Sequence, residues 1–253
     1  MQPILRANKL TKSFLLQGQP QLILRDVDFE MREQSFVCVV GSSGCGKSTF
    51  LELLAGITRP DSGEIYFRGE DITGKSGFLG YMPQDDLLFP WLNVVDNALI
   101  PVRIKGGDIK TAQAKVKQLL PVFGLEEHAE HLPYQLSGGL RQRAAFLRTC
   151  MMETELLLLD EPFASLDAIT RLQLQNWLGV ISRELKLSII LVTHDINEAI
   201  KLGDEVRVMK HQPGRFVATF DLDRDKYRSD KEKLGLQREI LTWVEKTDNS
   251  VSS

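Results

Sequence analysis

Gly41-Ser42-Ser43-Gly44-Cys45-Gly46-Lys47-Ser48 has the spacing G-x-x-x-x-G-K-[ST] of a phosphate-binding loop. Glycines let such a segment curl until successive N–H groups face phosphate oxygens. The start of the helix that follows adds a field favourable to an anion. In that setting Lys47 neutralises β- and γ-phosphates. Ser48 carries the hydroxyl of a Mg²⁺ ligand, because this small hard cation takes oxygen donors. A second pair of reactive residues, Asp160-Glu161, ends the apolar run Leu156-Leu157-Leu158-Leu159. A buried parallel strand delivers carboxylates to the C-terminal edge of its sheet, where ligands of open α/β folds bind. There Asp160 is placed to hold Mg²⁺ directly or through water, and Glu161 to orient and partly deprotonate an attacking water. Each segment has a plainer reading by itself, a connecting loop or a structural strand end. Together they point to nucleoside triphosphate chemistry, with a kinase, a GTPase and a motor ATPase all still open.

Leu136-Ser137-Gly138-Gly139-Leu140-Arg141-Gln142-Arg143 separates these classes. It opens a predicted helix, and Ser137 with its two glycines makes a second helix N-terminus whose backbone donors suit an anion. The segment resembles the signature motif of ATP-binding cassette (ABC) ATPases, and further stretches follow in that family's order. Gln84, in Tyr81-Met82-Pro83-Gln84, resembles the Q-loop glutamine that reaches Mg²⁺ and the attacking water. His194, in Val192-Thr193-His194-Asp195, resembles the switch histidine on the γ-phosphate. Ser165-Leu166-Asp167 is similar to the D-loop, and Phe14 falls at the family's adenine-stacking position. The chain departs from many members in having Leu140 where they have glutamine, which removes a polar contact and no catalytic group.

The resemblance implies ATP and Mg²⁺ as ligands. Phe14, Gly41, Ser42, Ser43, Gly44, Cys45, Gly46, Lys47, Ser48 and Thr49 would bind the nucleotide, with Ser137, Gly138, Gly139 and Asp167 meeting it from a second copy of the chain in a head-to-tail dimer. Ser48, Gln84 and Asp160 would hold the metal, and Glu161, His194 and Gln84 would be catalytic. It implies as partners an integral membrane permease and, through the complex, an extracytoplasmic substrate-binding protein, with the chain peripheral on the cytoplasmic face of the cell membrane. Leu88-Phe89-Pro90-Trp91 and the leucine-variant signature resemble the nitrate, sulfonate and taurine branch of bacterial importers. Thr73-Gly74-Lys75 ahead of Gly80 to Gln84 is closer to importers of thiamine-pyrimidine precursors. The apolar loop Asp85 to Trp91 is expected to receive the permease, so charge at Leu88 or Trp91 would uncouple transport. A soluble ABC ATPase uncoupled from transport is the alternative, although the long coiled coil of DNA-repair members and the paired cassettes of translation factors are missing. Cys45, beside Lys47, is expected to lean towards thiolate and to be alkylated unless ATP covers it.

The elements that must carry these residues can be read from periodicity. Short apolar runs at 4–10, 22–24, 27–31, 36–40 and 65–67 read as strands, and 47–55 as a helix entered from the glycine loop. From 94 to 150 the pattern is mostly helical, with Asp108 a predicted N-cap. Strand signals at 156–159, 189–192, 206–209 and 216–220 alternate with amphipathic stretches at 169–187 and 196–202, which indicates a mostly parallel sheet. With the resemblance, the expected fold is α/β: a P-loop ABC ATPase with a RecA-like mostly parallel sheet core, an N-terminal antiparallel β subdomain and an inserted helical signature subdomain. The ATPase domain would span 1–220, with the helical insertion at about 92–150, and 221–253 would form a C-terminal helix and polar tail.

Bulk properties narrow the partners. The 253 residues carry 31 basic and 34 acidic side chains, a net charge of −3 that offers no basic field for nucleic acid. Hydrophobic residues at 43% and charged residues at 26% suit a folded globular chain. No run approaches the roughly 18 apolar residues of a membrane span, and the N-terminus lacks the pattern of a secretory signal. Cys38, Cys45 and Cys150 are odd in number and widely spaced, which predicts free thiols in a reducing compartment rather than disulfides or a zinc site.

Overall fold

The structure is a computed structural model that describes residues 3–16, 18–210, 213–222 and 230–248. In chain order its strands and helices are β1 (Leu5–Leu16), β2 (Gln19–Met31), β3 (Phe36–Val40), α1 (Lys47–Leu54), β4 (Ser62–Phe67), β5 (Glu70–Asp71), β6 (Gly80–Met82), α2 (Val94–Ile104) and α3 (Ile109–Phe123). There follow α4 (Gly138–Cys150), β7 (Leu156–Asp160), α5 (Ala168–Glu184), β8 (Ser188–Thr193), α6 (Ile196–Leu202), β9 (Glu205–Lys210), β10 (Arg215–Asp221) and α7 (Asp230–Asp248). These form two compact units, one of residues 1–78 with 187–253 and the other of residues 79–186.

The first unit holds two layers of strands. An antiparallel sheet runs β2-β1-β4-β5. Along its second strand Val27, Phe29 and Met31 are buried while Asp28 and Glu30 face solvent, the period of two that a one-sided sheet requires. The runs expected at 22–24 and 27–31 are therefore one strand. Arg25 and Asp26 interrupt its apolar pattern because they form a bulge, not a turn: Leu10 pairs with Val27 and Lys12 with Leu24, and Asp26 takes φ 46. The other strands of this unit centre on β3, which pairs in parallel with β8 on one side and β9 on the other. All five residues of β3 and all six of β8 are buried, as expected of strands covered on both faces. An antiparallel edge is added by β10 along β9. Helix α1 is fixed by an aromatic cluster: Phe50 meets Phe29 at 5.2 Å and Phe216 at 5.4 Å, edge-on in both cases. The guanidinium of Arg207 covers Phe29 at 4.1 Å.

In the second unit β6 pairs in parallel with β7, whose five residues are all buried. At three residues, β6 is too short to show alternation, which is why periodicity passed over it. The expected helical stretch resolves into α2, α3 and α4. Asp108 caps α3 as predicted, accepting from the N–H of Lys110 at 3.0 Å. Phe123, Phe146 and Trp177 meet with ring centroids 5.2 to 5.8 Å apart, and the Trp177 indole donates to the Val122 carbonyl. The last helix, α7, packs on α6 and β9 and buries Leu236 and Ile240. The charged stretch 223–229 and the expected polar tail at 249–253 lie outside the described residues. Among the described residues no helix is long and apolar enough to cross a membrane.

Candidate functional site

The glycine loop leaves the end of β3 and feeds α1 directly. Gly46, the N-cap, takes φ 102, a left-handed conformation that strains any side chain, and it brings no capping group of its own. The N-cap position thus offers the first turn of α1 no capping side chain, which suits a helix N-terminus to an anion. Lys47 is buried, and its ammonium turns back on the loop, donating to the carbonyls of Gly41 and Ser42 at 2.9 Å each. The hydroxyl oxygen of Ser42 is also buried and has no hydrogen-bond partner. A buried hydroxyl without a partner beside a lysine folded onto its own loop is a donor set that fits a phosphate. Ser43, Gly44 and Ser48 face solvent, and Thr49 is half-buried.

Cys45 contradicts the expected reactivity. Its side chain is only 1% exposed, with Lys47 Nζ 3.9 Å from the sulfur. A maleimide cannot reach it without opening the loop. Burial together with the nearby carboxylates of Asp204 and Glu198 pushes the Cys38 thiol well up, and burial pushes Cys150 up to about 12. The loop also rests on a residue that motif reading passed over. A side chain at Gly214 would lie 2.3 Å from the Cys45 carbonyl oxygen, and the backbone of Gly214 bonds to Ile23 and Arg25.

Phe14 lies near the tip of the β1–β2 hairpin, 38% exposed. His194 follows β8 and is exposed, but the residues around it are tightly tied. The Thr193 hydroxyl donates to Glu198 at 2.6 Å and accepts from the N–H of Asp195 at 3.0 Å, while Asp195 caps α6 through the N–H of Asn197. Glu198 is a buried carboxylate that the sequence reading missed. Its signal was present: Asp195-x-x-Glu198 has the spacing of a capping box.

In the second unit Asp160 ends β7 and is buried, and Glu161 follows it half-buried. Glu161 takes φ 44, an unusual backbone for a residue with a side chain, and its carbonyl accepts from Ala164 to close a turn. Gln84 follows β6 and is exposed. The loop after it is held from two helices. Buried Asn97 accepts from the N–H of Phe89 and donates to the carbonyls of Phe89, Leu92 and Asn93. Arg148 of α4 donates to the carbonyls of Asp86 and Leu87, and Arg141 pairs with Asp86 at 3.1 Å. The loop's apolar residues therefore divide: Leu88 is buried, whereas Leu87 and Trp91 are exposed. Leu88 belongs to the packing and not to the surface on which it was expected.

The signature segment opens α4 as predicted, but its donors are not all bare. Ser137 caps its own helix, accepting from the N–H of Leu140 at 3.3 Å. A side chain at Gly139 would lie 2.7 Å from the Thr170 methyl, so the glycine also lets α4 pack on the start of α5. Asp167 caps α5, taking the N–H groups of Ile169 and Thr170 at 3.1 Å each. The structure thus brings the signature and the segment ending in Asp167 together, and ties the stretch after Gln84 to the signature helix.

A loop of this shape at the end of a buried parallel strand belongs to the P-loop nucleotide-binding proteins. Within that class the ABC transporter family model matches residues 24–164, and the chain belongs to this family as an ATP-binding, transporter-type ATPase. The taurine import ATP-binding protein of Pseudomonas aeruginosa is 40% identical over 219 residues, 87% of this chain and 83% of that protein. The formylaminopyrimidine import ATP-binding protein of Halalkalibacterium halodurans is 40% identical over 191 residues, 76% of this chain and 74% of that one. Among solved structures, a dimeric post-hydrolysis state of the ATP-binding cassette MJ0796 bound to ADP and Pi matches with a TM-score of 0.74 at 26% identity, covering 86% of this chain and 98% of that one.

Proposed function

We propose that the chain is the engine of a bacterial importer: a head-to-tail dimer of it, peripheral on the cytoplasmic face of the cell membrane, drives uptake of a small solute through a separate permease. Supporting this reading are two glycine-bearing helix N-termini on one chain, α1 with no N-cap side chain and α4 behind Ser137, each of a kind that suits an anion. Each would serve as half of a phosphate site, completed by the other copy. Closure on two ATP molecules and reopening after hydrolysis is then the motion delivered to the permease.

In each composite site Phe14 stacks on the base, and residues 41–49 hold the phosphates, Lys47 swinging from its loop carbonyls onto the β- and γ-oxygens. Ser137, Gly138, Gly139 and Asp167 of the opposite copy close over the γ-phosphate. Glu161 accepts the proton of the attacking water, with Gln84 orienting it and His194 bonding the γ-phosphate. The left-handed backbone at Glu161 fits such a role, since strain of this kind gathers at reactive positions. The hydroxyl of Ser48, the amide oxygen of Gln84 and the carboxylate of Asp160 would each supply Mg²⁺ with an oxygen donor, the atom type that ion takes. When bound, that ion would supply positive charge against the negative charge that develops in phosphoryl transfer.

The ATPase domain spans 1–220 with its helical insertion at about 92–150, and 221–253 adds a C-terminal helix and polar tail. The cargo is taurine, a related sulfonate or nitrate, or a thiamine-pyrimidine precursor, captured by an extracytoplasmic binding protein of the same complex. The two import relatives support this choice by name. Purification from detergent-solubilised membranes tests the coupling. The expected result is a stable complex with a multispan permease whose reconstituted uptake requires ATP. Recovery only as a soluble ATPase, with no uptake in any reconstitution, would leave the uncoupled alternative standing.

A further inference from the structure

The expected base-stacking residue, Phe14, lies on β1 just past the stretch that faces the bulged part of β2. The register of β1 on β2 shifts on both sides of Lys12. A bulge disrupts the ladder for the strand that faces it too, so the aim of the residues there depends on what else holds them. Here Asp61, the residue before β4, supplies the hold. Its N–H donates to the Thr11 carbonyl at 2.9 Å, and one carboxylate oxygen accepts from the N–H of Ser13 at 2.6 Å. Its other oxygen accepts from Lys12 Nζ at 3.1 Å, and that ammonium also donates to the Arg59 carbonyl at 2.9 Å. Lys12 and Phe14 share a strand face, being two residues apart. The tethered ammonium stands over the Phe14 ring, 5.2 Å from its centroid.

We propose that Asp61 and Lys12 are positioning residues for adenine binding: they fix β1 where it faces the bulge, and the Lys12 ammonium occupies one face of Phe14, leaving the other face presented to the base. The proposal rests on the reading that Phe14 stacks on the nucleotide. The clamp is rigid because both oxygens of Asp61 and two donors of Lys12 are engaged, each across a charge-assisted bond. A cation on one face withdraws electron density from the ring, which favours stacking of a nucleobase on the other. Lys12, so anchored, acts through the ring. Selectivity for nucleotide over bare triphosphate is the consequence.

Calorimetric titration of the intact chain with MgATP and with Mg-tripolyphosphate, which lacks a base, separates the possibilities. Phe14→Ala should weaken ATP about tenfold, the order of one base–aromatic stack, and leave tripolyphosphate unchanged. Asp61→Asn and Lys12→Met should each weaken ATP about threefold through a looser ring, again without effect on tripolyphosphate. In the Phe14→Ala background neither should cost anything further. Full additivity with Phe14→Ala, or equal weakening of tripolyphosphate, would overturn the clamp while leaving the stacking intact. An unchanged ATP affinity in Phe14→Ala alone would instead overturn the stacking reading beneath it.

Discussion

Lys47 and Gly214 show how much of a phosphate loop depends on atoms outside its motif. Lys47 donates to two of its own loop's carbonyls, so phosphate oxygens would have to exchange with those bonds and would not recruit a solvated cation. Gly214, far along the chain, approaches the Cys45 carbonyl too closely for any side chain. Gly214→Ala must therefore displace backbone, at a cost of about 2–4 kcal/mol. We expect a lower melting temperature and an ATP affinity weakened at least about tenfold, read by calorimetry. Wild-type binding in that variant would show that the loop does not depend on this support. Gly41 to Ser48 was legible because its spacing is local. Gly214, Asn97 and Glu198 were not, since each acts on backbone or side chains that only folding brings near.

Helices and loops in this chain are held by caps and latches whose consequences differ. Leu88 is packed and Trp91 is 71% exposed, although both lie in one apolar loop. Leu88→Glu buries a charge, so it should destabilise the chain by several kcal/mol, on the order of 3 or more. Trp91→Glu should leave ATPase activity and melting temperature unchanged while abolishing uptake in reconstituted vesicles. Retained uptake with the complex assembled would exclude this loop as the docking point. The caps Asp108 and Asp167 respond to acid. Hydrogen bonds from the Thr111 hydroxyl and then the Lys110 N–H hold the first below the usual carboxylate range, and the Thr170 hydroxyl and N–H do the same for the second. A depressed carboxylate adds stability above its unfolded pKa of about 3.9, and that stability is lost as the pH falls through the lower folded value. Melting temperature should thus fall between about pH 5 and about pH 3, and less steeply in Asp108→Asn/Asp167→Asn, which keeps the caps but cannot titrate. Superimposable slopes would remove the caps from the account. Asp108 was readable as a cap from one residue and its position. The single strand 19–31 was not, because a bulge at Asp26 and a turn look alike in an alternation pattern.

The assembled chain carries an uncapped phosphate loop and a glycine-opened signature helix, and family membership gives both a purpose. Nearly all the motifs were visible in sequence, because they are short and local. The division into two compact units, 1–78 with 187–253 and 79–186, was not, since it cuts across the order in which the motifs are met. If each copy supplies half of two composite sites, blocking the chemical step must trap the pair. The direct measurement is light scattering of Glu161→Gln with MgATP and with MgADP. ATP should give a particle of twice the 28.6 kDa chain mass with hydrolysis abolished, and ADP the single chain. A monomer in ATP that still hydrolyses at the wild-type rate would contradict both the dimer and the role of Glu161.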